Sequence, residues 1–209
     1  ENCDNNQVTD GNQISSAASI GISFWRSDGH TVTDNVINGT ATGIRFLGSS
    51  NNIISRNKIT GNATGLKLDA SWQVGVWYQS DNNTISNNDL SANTAAVTLG
   101  AEQTAVVNTS GNWWGSAVPA TVKAAANGGA YVDYTPWLAV GTDTADPGFQ
   151  GDFSTLWVDD DSPQTGTVGR IQEGINLVSG STVNVAAGLY VEDIKINKAV
   201  TLLGPKSAV

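Results

Sequence analysis

Few side chains of this 209-residue chain are of a type that performs catalysis. The sequence contains one histidine, His30, and one cysteine, Cys3. Cleavage of a glycosidic bond needs two carboxyl groups at a defined separation or a metal-assisted base. Asp10 and Asp34 occupy equivalent positions one repeat apart, which would allow them to pair, although such turn positions are more often solvated. Because a serine or cysteine nucleophile would also lack a base, the sequence predicts no catalytic residue.

The densest acidic run is Asp159–Asp161. Calcium loops place their oxygen ligands at defined spacings along the chain, and this run shows no such spacing. We therefore expect a solvated loop here, and we predict neither a metal site nor a cofactor.

Charge and composition restrict the class of protein. The formal net charge is −9, and no cluster of lysine and arginine is present that could neutralise phosphates, so nucleic acid is excluded as a partner. No apolar run is long enough for a membrane span. Charged residues make up 14% of the chain, against the usual quarter. Glycine, asparagine, serine and threonine replace them, which favours β-structure with frequent turns. The acidity fits a solvated extracellular surface, so we expect an extracellular or cell-surface location.

Internal repetition dominates the first two thirds of the chain. Three segments align: HTVTDNVINGTATGIRF from His30, NIISRNKITGNATGLKL from Asn52 and NTISNNDLSANTAAVTL from Asn83. The first two copies are 22 residues apart, and the third follows after 31 because Asp69–Gln79 inserts a tryptophan-rich loop. Apolar residues alternate within each copy, which predicts about three short strands per copy with one face buried. A single copy cannot bury that face, so the copies must stack into a solenoid.

One asparagine recurs at the same position of each copy, at Asn35, Asn57 and Asn88. Asparagine tolerates the left-handed backbone region that a sharp corner requires. At the spacing of about 4.8 Å between neighbouring strands, the side-chain amides of these residues are expected to hydrogen-bond into a ladder.

The pattern NNxISxNxIxGNxxGLxL resembles the repeats of pectate-lyase-like proteins, especially the periplasmic copper-maturation type and the bacterial and archaeal surface type. GNWWGS from Gly111 and YVDYTPWL from Tyr131 resemble the closing segment of such helices. The resemblance covers about residues 5–138 and implies an all-β, right-handed parallel β-helix with about 22 residues per turn.

The same superfamily contains pectin-active enzymes, whose site residues can be sought here. Resemblance to polygalacturonases would require an adjacent Asp pair, a further Asp, a Gly-His-Gly and an Arg-x-Lys. His30 lies in SDGHT, and Arg56-Asn57-Lys58 matches only in letters because its middle residue is the repeat asparagine. A pectin-active lyase or hydrolase is therefore the third choice of function.

The last quarter of the chain resembles the opening of a β-helix. Residues 168–178 have helical spacing, which predicts a short capping helix, and Gly188, Tyr190 and Glu192 form a G-x-Y-x-E turn. We predict a β-helix body at residues 1–138, a linker at 139–166 and an opening segment at 167–209. This segment would complete the helix of its own chain or of a neighbouring subunit, or belong to a tandem of β-helices.

The leading hypothesis is a non-catalytic extracellular structural protein that polymerises head to tail by rung complementation. The residues expected at that interface are apolar: Ile171, Ile175, Val183, Val185, Ile194, Ile196, Val200, Leu202, Val8 and Ile14. The alternative is a carbohydrate-binding or adhesive module that contacts glycans through Trp72, Trp77 and Tyr78. Four Asn-x-Ser/Thr sequons are possible glycosylation sites, at Asn38, Asn62, Asn82 and Asn108.

Overall fold

The protein is a parallel β-solenoid of about nine turns with about 22 residues per turn and two short α-helices, as predicted. The structure is a computed structural model that describes residues 3–16 and 18–205. Six turns form the body and three turns form the tail. At about 4.8 Å per turn, the solenoid is roughly 40 Å long.

Three parallel sheets line the body. The first contains β1 Gln7–Val8, β4 Thr31–Thr33, β7 Ile53–Ser55, β12 Thr84–Ser86, β14 Val107–Asn108 and β15 Val132–Asp133. The second contains β2 Gln13–Ser15, β5 Val36–Asn38 and β8 Lys58–Thr60. The third contains β3 Ile20–Trp25, β6 Thr42–Leu47, β9 Thr64–Asp69 and β13 Ala95–Leu99. The inserted loop is an antiparallel hairpin of β10 Ser71–Gln73 and β11 Val76–Tyr78.

Stacked apolar side chains form the core of the body. The strand register places the alternating residues of one turn directly on those of the next, so each inward position becomes a continuous column. The columns are Val8–Val32–Ile54–Ile85, Ile14–Ile37–Ile59, Ile22–Ile44–Leu66–Val97 and Phe24–Phe46–Leu68–Leu99.

A short helix that the sequence patterns did not reveal closes one end of the body. Helix α1, Pro119–Ala125, is followed by a 3₁₀ turn at Asn127–Gly129. Val122 and Ala126 are fully buried, and Ala126 forms a β-bridge to Val97 of β13. The helix thus covers the last strand of the third sheet and prevents an unpaired edge.

The tail packs on this closing end of the body. It contains β17 Thr155–Val158, α2 Arg170–Leu177, β18 Thr182–Val185 and β19 Thr201–Leu203. The tail strands are parallel to one another, and β17 pairs antiparallel with β16, Trp137–Leu138, of the body. The helix expected near residues 168–178 is confirmed as α2. The tail does not cover β1 of its own chain, as self-closure would require, because it joins the opposite end.

Residues 139–153, which we call the strap, run along the corner of the body and return. The amide of Phe149 donates to the carbonyl of Arg56 over 3.0 Å, and the amide of Gly151 donates to Oδ1 of Asn87 over 2.7 Å. The expected linker at residues 139–166 is therefore packed structure that includes β17. Its glycine, threonine, aspartate and proline content is typical of a loop, and a loop with these residues can still follow the solenoid closely.

Candidate functional site

The repeated asparagines form a continuous hydrogen-bonded ladder inside one corner of the body. Nδ2 of Asn35 donates to Oδ1 of Asn57 over 3.1 Å, and Nδ2 of Asn57 donates to Oδ1 of Asn88 over 3.0 Å. Asn12 and Asn112 extend the ladder by one residue at each end, over 2.9 and 3.0 Å. The backbone amides of Asn35, Asn57 and Asn88 donate to the same oxygens. Asn35, Asn57, Asn88 and Asn112 are buried and fully used by the fold, so they are not free to bind a ligand, whereas Asn12 at the end of the ladder is exposed.

The left-handed backbone at this corner belongs to the residue before each ladder asparagine. Asp34, Arg56 and Asn87 have φ values of 64°, 56° and 56°, and Gly11 and Gly111 are left-handed at the equivalent positions, so the residue equivalent to Asp34 is Gly11 and not Asp10. The left-handed conformation expected for Asn35, Asn57 and Asn88 is therefore wrong for these residues, because none of them has a positive φ. The amide side chain satisfies buried backbone groups, and the preceding residue makes the bend.

A second ladder includes one of the predicted glycosylation sites. Nδ2 of Asn62 donates to Oδ1 of Asn93 over 3.1 Å, and its Oδ1 accepts from the hydroxyl of Thr40 over 2.8 Å. Asn62 is buried, so its side chain is inaccessible to a glycosyl donor in the folded chain. Among the other sequons, Asn82 is exposed, and Asn38 and Asn108 are half-buried.

His30 is a packing residue of the first turns. Its imidazole is buried, stacks on Phe24 at 4.4 Å between ring centroids, and has both nitrogens in contact with polar atoms. Nδ1 accepts from the amide of Asn6 over 3.1 Å, and Nε2 lies 2.7 Å from Oγ of Ser27. Burial lowers the pKa of His30. The ring is therefore held neutral at physiological pH and is not placed as a catalytic base.

The carboxyl pair suggested by the sequence is engaged elsewhere. Asp34 accepts two hydrogen bonds of 2.7 Å from the guanidinium of Arg56, which lower the pKa of Asp34. Asp10 accepts from the hydroxyl of Thr9 over 2.7 Å. The Arg-x-Lys letters thus contain one partner of an ion pair and one ladder asparagine.

The acidic run Asp159–Asp161 leads from β17 into a turn, and the expectation of a solvated loop is wrong for Asp159 but fits the exposed Asp161. Asp159 is buried, which raises its pKa. Asp160 accepts from the amide of Leu189 over 2.7 Å, and Asp161 pairs with Lys123 of α1 at 3.0 Å. Carboxylate oxygens of the three residues lie within 4.8 Å of one another, and the contacts just named hold them to the fold.

The G-x-Y-x-E turn anchors the helix of the tail. Both carboxylate oxygens of Glu192 accept from the free backbone amides at the start of α2, from Ile171 over 3.0 Å and from Gln172 over 2.9 Å. A negative charge at this position stabilises the helix. The hydroxyl of Tyr190 donates to the carbonyl of Val158 over 3.3 Å, and burial raises the pKa of Tyr190 to about 12.

The ten residues expected at an assembly interface separate into two groups. Ile171, Ile175 and Val183 are buried in the core that the tail shares with Leu138, so they are not available to a neighbour in this arrangement. The others are partly or largely exposed at the two ends of the solenoid: Val8 and Ile14 at one end, and Val185, Ile194, Ile196, Val200 and Leu202 at the other.

The three aromatic residues expected to contact glycans lie on one hairpin but not on one face. Trp72 pairs with Trp77 across the strands, and their rings meet edge to face at 5.2 Å between centroids. Tyr78 pairs with Ser71 and points to the opposite face, because side chains alternate along a strand. All three aromatic side chains are exposed.

Among the comparisons with known proteins, a match to one protein family was found. No curated protein and no solved structure matches the chain. A family model described as "Periplasmic copper-binding protein (NosD)" matches residues 1–133. A periplasmic family agrees, at a coarse level, with the predicted location outside the cytoplasm. No helix among residues 3–16 and 18–205 is long and apolar enough to cross a membrane.

The residues of this chain do not fit the copper that the family description implies. Protein copper sites are built from thiolate, thioether and imidazole ligands. The 209 residues contain no methionine, and His30 and Cys3 are the sole histidine and cysteine. Both nitrogens of His30 are in contact with other polar groups, whereas the thiol of Cys3 is exposed.

The residues matched by the family model, 1–133, are well over half of the chain and include the stacked turns and the ladder. The chain therefore belongs to the NosD family of periplasmic β-helix proteins.

Proposed function

We propose that the chain is a non-catalytic structural protein of the cell envelope that extends into filaments by end-to-end stacking of its copies. The observation that carries this proposal is that, within residues 3–16 and 18–205, apolar core positions at both ends of the solenoid are only partly buried. Two strands, β1 and β19, are the outermost members of their sheets.

The first turn leaves its inward side chains incompletely covered. Val8, Ile14 and Ile22 are partly exposed, whereas the residues stacked on them in the next turn are fully buried. The backbone groups along the outer edge of β1 also form a template for another strand. An additional turn at this end would bury the apolar side chains and pair the backbone groups of β1.

The last turn of the tail also has an inward side chain that is only partly buried and an outermost strand, β19. Leu202 of β19 stacks on Val183 of β18 and is only partly buried, and Leu203 is 49% exposed. Beside it, a groove of 490 Å³ lies between Trp157, Leu202 and Pro119. Apolar surface of this kind favours a partner.

A second copy of the chain is the occupant that fits both ends. Each end exposes an apolar inward position next to a free strand edge, so β1 of one copy can continue the sheet that ends in β19 of another. Such a contact joins two different surfaces and therefore propagates into an open filament unless it closes into a ring. The ion pair of Asp34 with Arg56 and the packed ring of His30 support a structural role over a catalytic one.

The test is sedimentation velocity and negative-stain electron microscopy of the full chain across a concentration series. We expect filaments that lengthen with concentration. Val8→Asp and Leu202→Asp each place a carboxylate in the proposed junction and should give single particles.

Two neighbouring exposed residues provide matched controls. Gln7→Asp in β1 and Thr201→Asp in β19 add the same charge at positions that point away from the core, so filaments should persist. Discrete particles of the unaltered chain at every concentration, or filaments that survive both core-facing substitutions, would overturn the proposal.

A further inference from the structure

The hairpin β10–β11 carries features that do not serve the fold. Its two-residue turn places Val74 and Gly75 at φ values of 48° and 83°, which is the backbone that tight hairpins require. A β-branched residue is strained in this region, and the side chain of Val74 is 90% exposed. Strain and exposed apolar surface both oppose folding, and in proteins they concentrate at binding sites.

The base of the hairpin is seated firmly on the body. Gly48 makes this close approach possible, since a Cβ added there would lie 2.7 Å from Cβ of Ser71 and 3.3 Å from Cβ of Tyr78. Gly48 is also left-handed, with φ of 57°. The orientation of Tyr78 relative to the turn below is therefore fixed by backbone packing.

A pocket lies where the hairpin meets the body. Its volume is 330 Å³, and it is lined by Arg26, Asp28, Gly48, Gln73 and Tyr78. It combines one aromatic ring with a guanidinium, a carboxylate and a primary amide, which are groups that donate and accept hydrogen bonds in defined directions. The volume falls within the range of small-ligand sites.

We propose that this pocket binds a pyranose unit of a neutral glycan. The apolar face of a sugar ring would stack on Tyr78, and its hydroxyl groups would hydrogen-bond to Arg26, Asp28 and Gln73. An exposed aromatic ring with one polar edge suits a ligand that has an apolar face and a polar rim. Trp72 and Trp77, on the other face, hold the two strands together by their edge-to-face contact.

Charge decides between neutral and anionic glycans. The pocket contains one cation and one anion, and the whole chain has a net charge of −9. The net negative charge of the chain repels a polyanion at long range, and inside the pocket Asp28 offsets the attraction of Arg26 for a carboxylate. A neutral sugar meets neither penalty. This site does not depend on end-to-end stacking, because the hairpin projects from the side of the third and fourth turns.

The test uses cellohexaose and chitohexaose as neutral probes and hexagalacturonate as the anionic comparator, with isothermal titration calorimetry on the full chain. We expect at least one neutral hexasaccharide to bind. Tyr78→Ala and Gln73→Ala should each weaken binding at least tenfold, and Gly48→Ala should weaken it by displacing the hairpin.

Tyr131→Asn is the matched control, because Tyr131 is an exposed aromatic residue of similar exposure in the last turn of the body. It should leave binding unchanged, and thermal melts should show that the hairpin variants keep the solenoid. Three results would overturn the proposal: no binding of either neutral probe, tighter binding of hexagalacturonate, or binding that is indifferent to Tyr78→Ala and Gln73→Ala. A change of oligomeric state in those variants would assign the hairpin to a second copy of the chain instead.

Discussion

Asn57 and Asn88 are joined by a side-chain hydrogen bond of 3.0 Å although 31 residues separate them, whereas the equivalent bond from Asn35 to Asn57 spans 22 residues. The nine additional residues leave the ladder unchanged because they form the hairpin β10–β11 outside the solenoid. The register of the turns is thus fixed by the buried amides and the stacked apolar residues, and an insertion can be placed at the surface without altering it.

The first prediction concerns the ladder. In Asn57→Asp the buried amide that donates to the carbonyl of Val32 over 2.8 Å and to Asn88 becomes a group that cannot donate when ionised. We expect a loss of unfolding free energy on the order of 3 to 5 kcal/mol, the cost of an uncompensated buried charge. Chemical denaturation measures it. Asn82→Asp makes the same replacement at an exposed site and should change stability little. Equal losses of unfolding free energy in the two variants would show that the ladder hydrogen bonds do not stabilise the fold.

The second prediction concerns the strap. A Cβ added at Gly148 would lie against the carbonyl oxygen of Arg56 and 2.8 Å from Cα of Asp34, and Gly148 is left-handed with φ of 78°. Gly148→Ala should therefore lower the unfolding free energy and make the strap more sensitive to limited proteolysis.

Gly61→Ala is the control for this variant. Gly61 is also left-handed, with φ of 66°, but no atom lies within 4 Å of an added Cβ. Its substitution should cost about 1 kcal/mol for backbone strain alone, and Gly148→Ala should cost about 1 to 3 kcal/mol more for the steric clash. If the two substitutions cost the same, the strap is not packed on the corner as described.

The repeat made the body predictable because one physical requirement recurs in every turn. Asn35, Asn57 and Asn88 stand in register with alternating apolar residues, and both patterns follow from stacking identical turns. Asn62 carries the same signal, but its sequon favoured a surface interpretation, and the register with Asn93 was the clue that identifies its ladder.

The packing of the strap and the position of the tail could not be predicted in this way, because neither follows the repeat. Residues 139–153 pack against the body through the backbone amides of Phe149 and Gly151 and through the buried ring of Phe149, and none of these contacts recurs along the chain as a repeat. The position of the tail depends on one antiparallel pairing, of β16 with β17, that appears once in the chain. A pocket formed by residues as distant in sequence as Arg26 and Tyr78 likewise requires the fold before it can be recognised.

The third prediction concerns the ion pair of Asp34 and Arg56. The hydrogen bonds from Arg56 hold the pKa of Asp34 below its ordinary value, so the pair contributes stability above that value and loses it as the pH falls through the lowered pKa. Asp34→Asn keeps a residue that tolerates the left-handed corner and removes the charge. We expect the variant to be less stable than the parent chain at pH 7, with the difference shrinking as the pH falls below the ordinary pKa of an aspartate, measured by urea unfolding. A difference that is constant with pH would contradict this account.

The last prediction concerns Glu173 of α2, at the junction of body and tail. Burial raises its pKa, the neighbouring charge of Asp133 raises it further, and the hydrogen bond from Gln164 opposes both. A carboxyl group whose folded pKa is raised contributes stability that is fully present below its unfolded value and is lost as the pH rises through the folded value. Glu173→Gln keeps an oxygen that accepts from Gln164 and removes the buried charge, so the variant should be more stable than the parent chain at pH 7, with the advantage vanishing near pH 4.

Asp133 provides the contrasting variant for this experiment. Its carboxylate accepts from the amide and the hydroxyl of Thr165 and from the hydroxyl of Ser162, and an asparagine there would turn an amide donor toward one of these donors. Asp133→Asn should therefore destabilise the junction at pH 7, although burial raises the pKa of Asp133 as well. Urea unfolding of both variants between pH 4 and pH 8 separates the two effects, because a raised pKa alone predicts stabilisation by both substitutions, whereas the hydrogen bonds predict opposite signs.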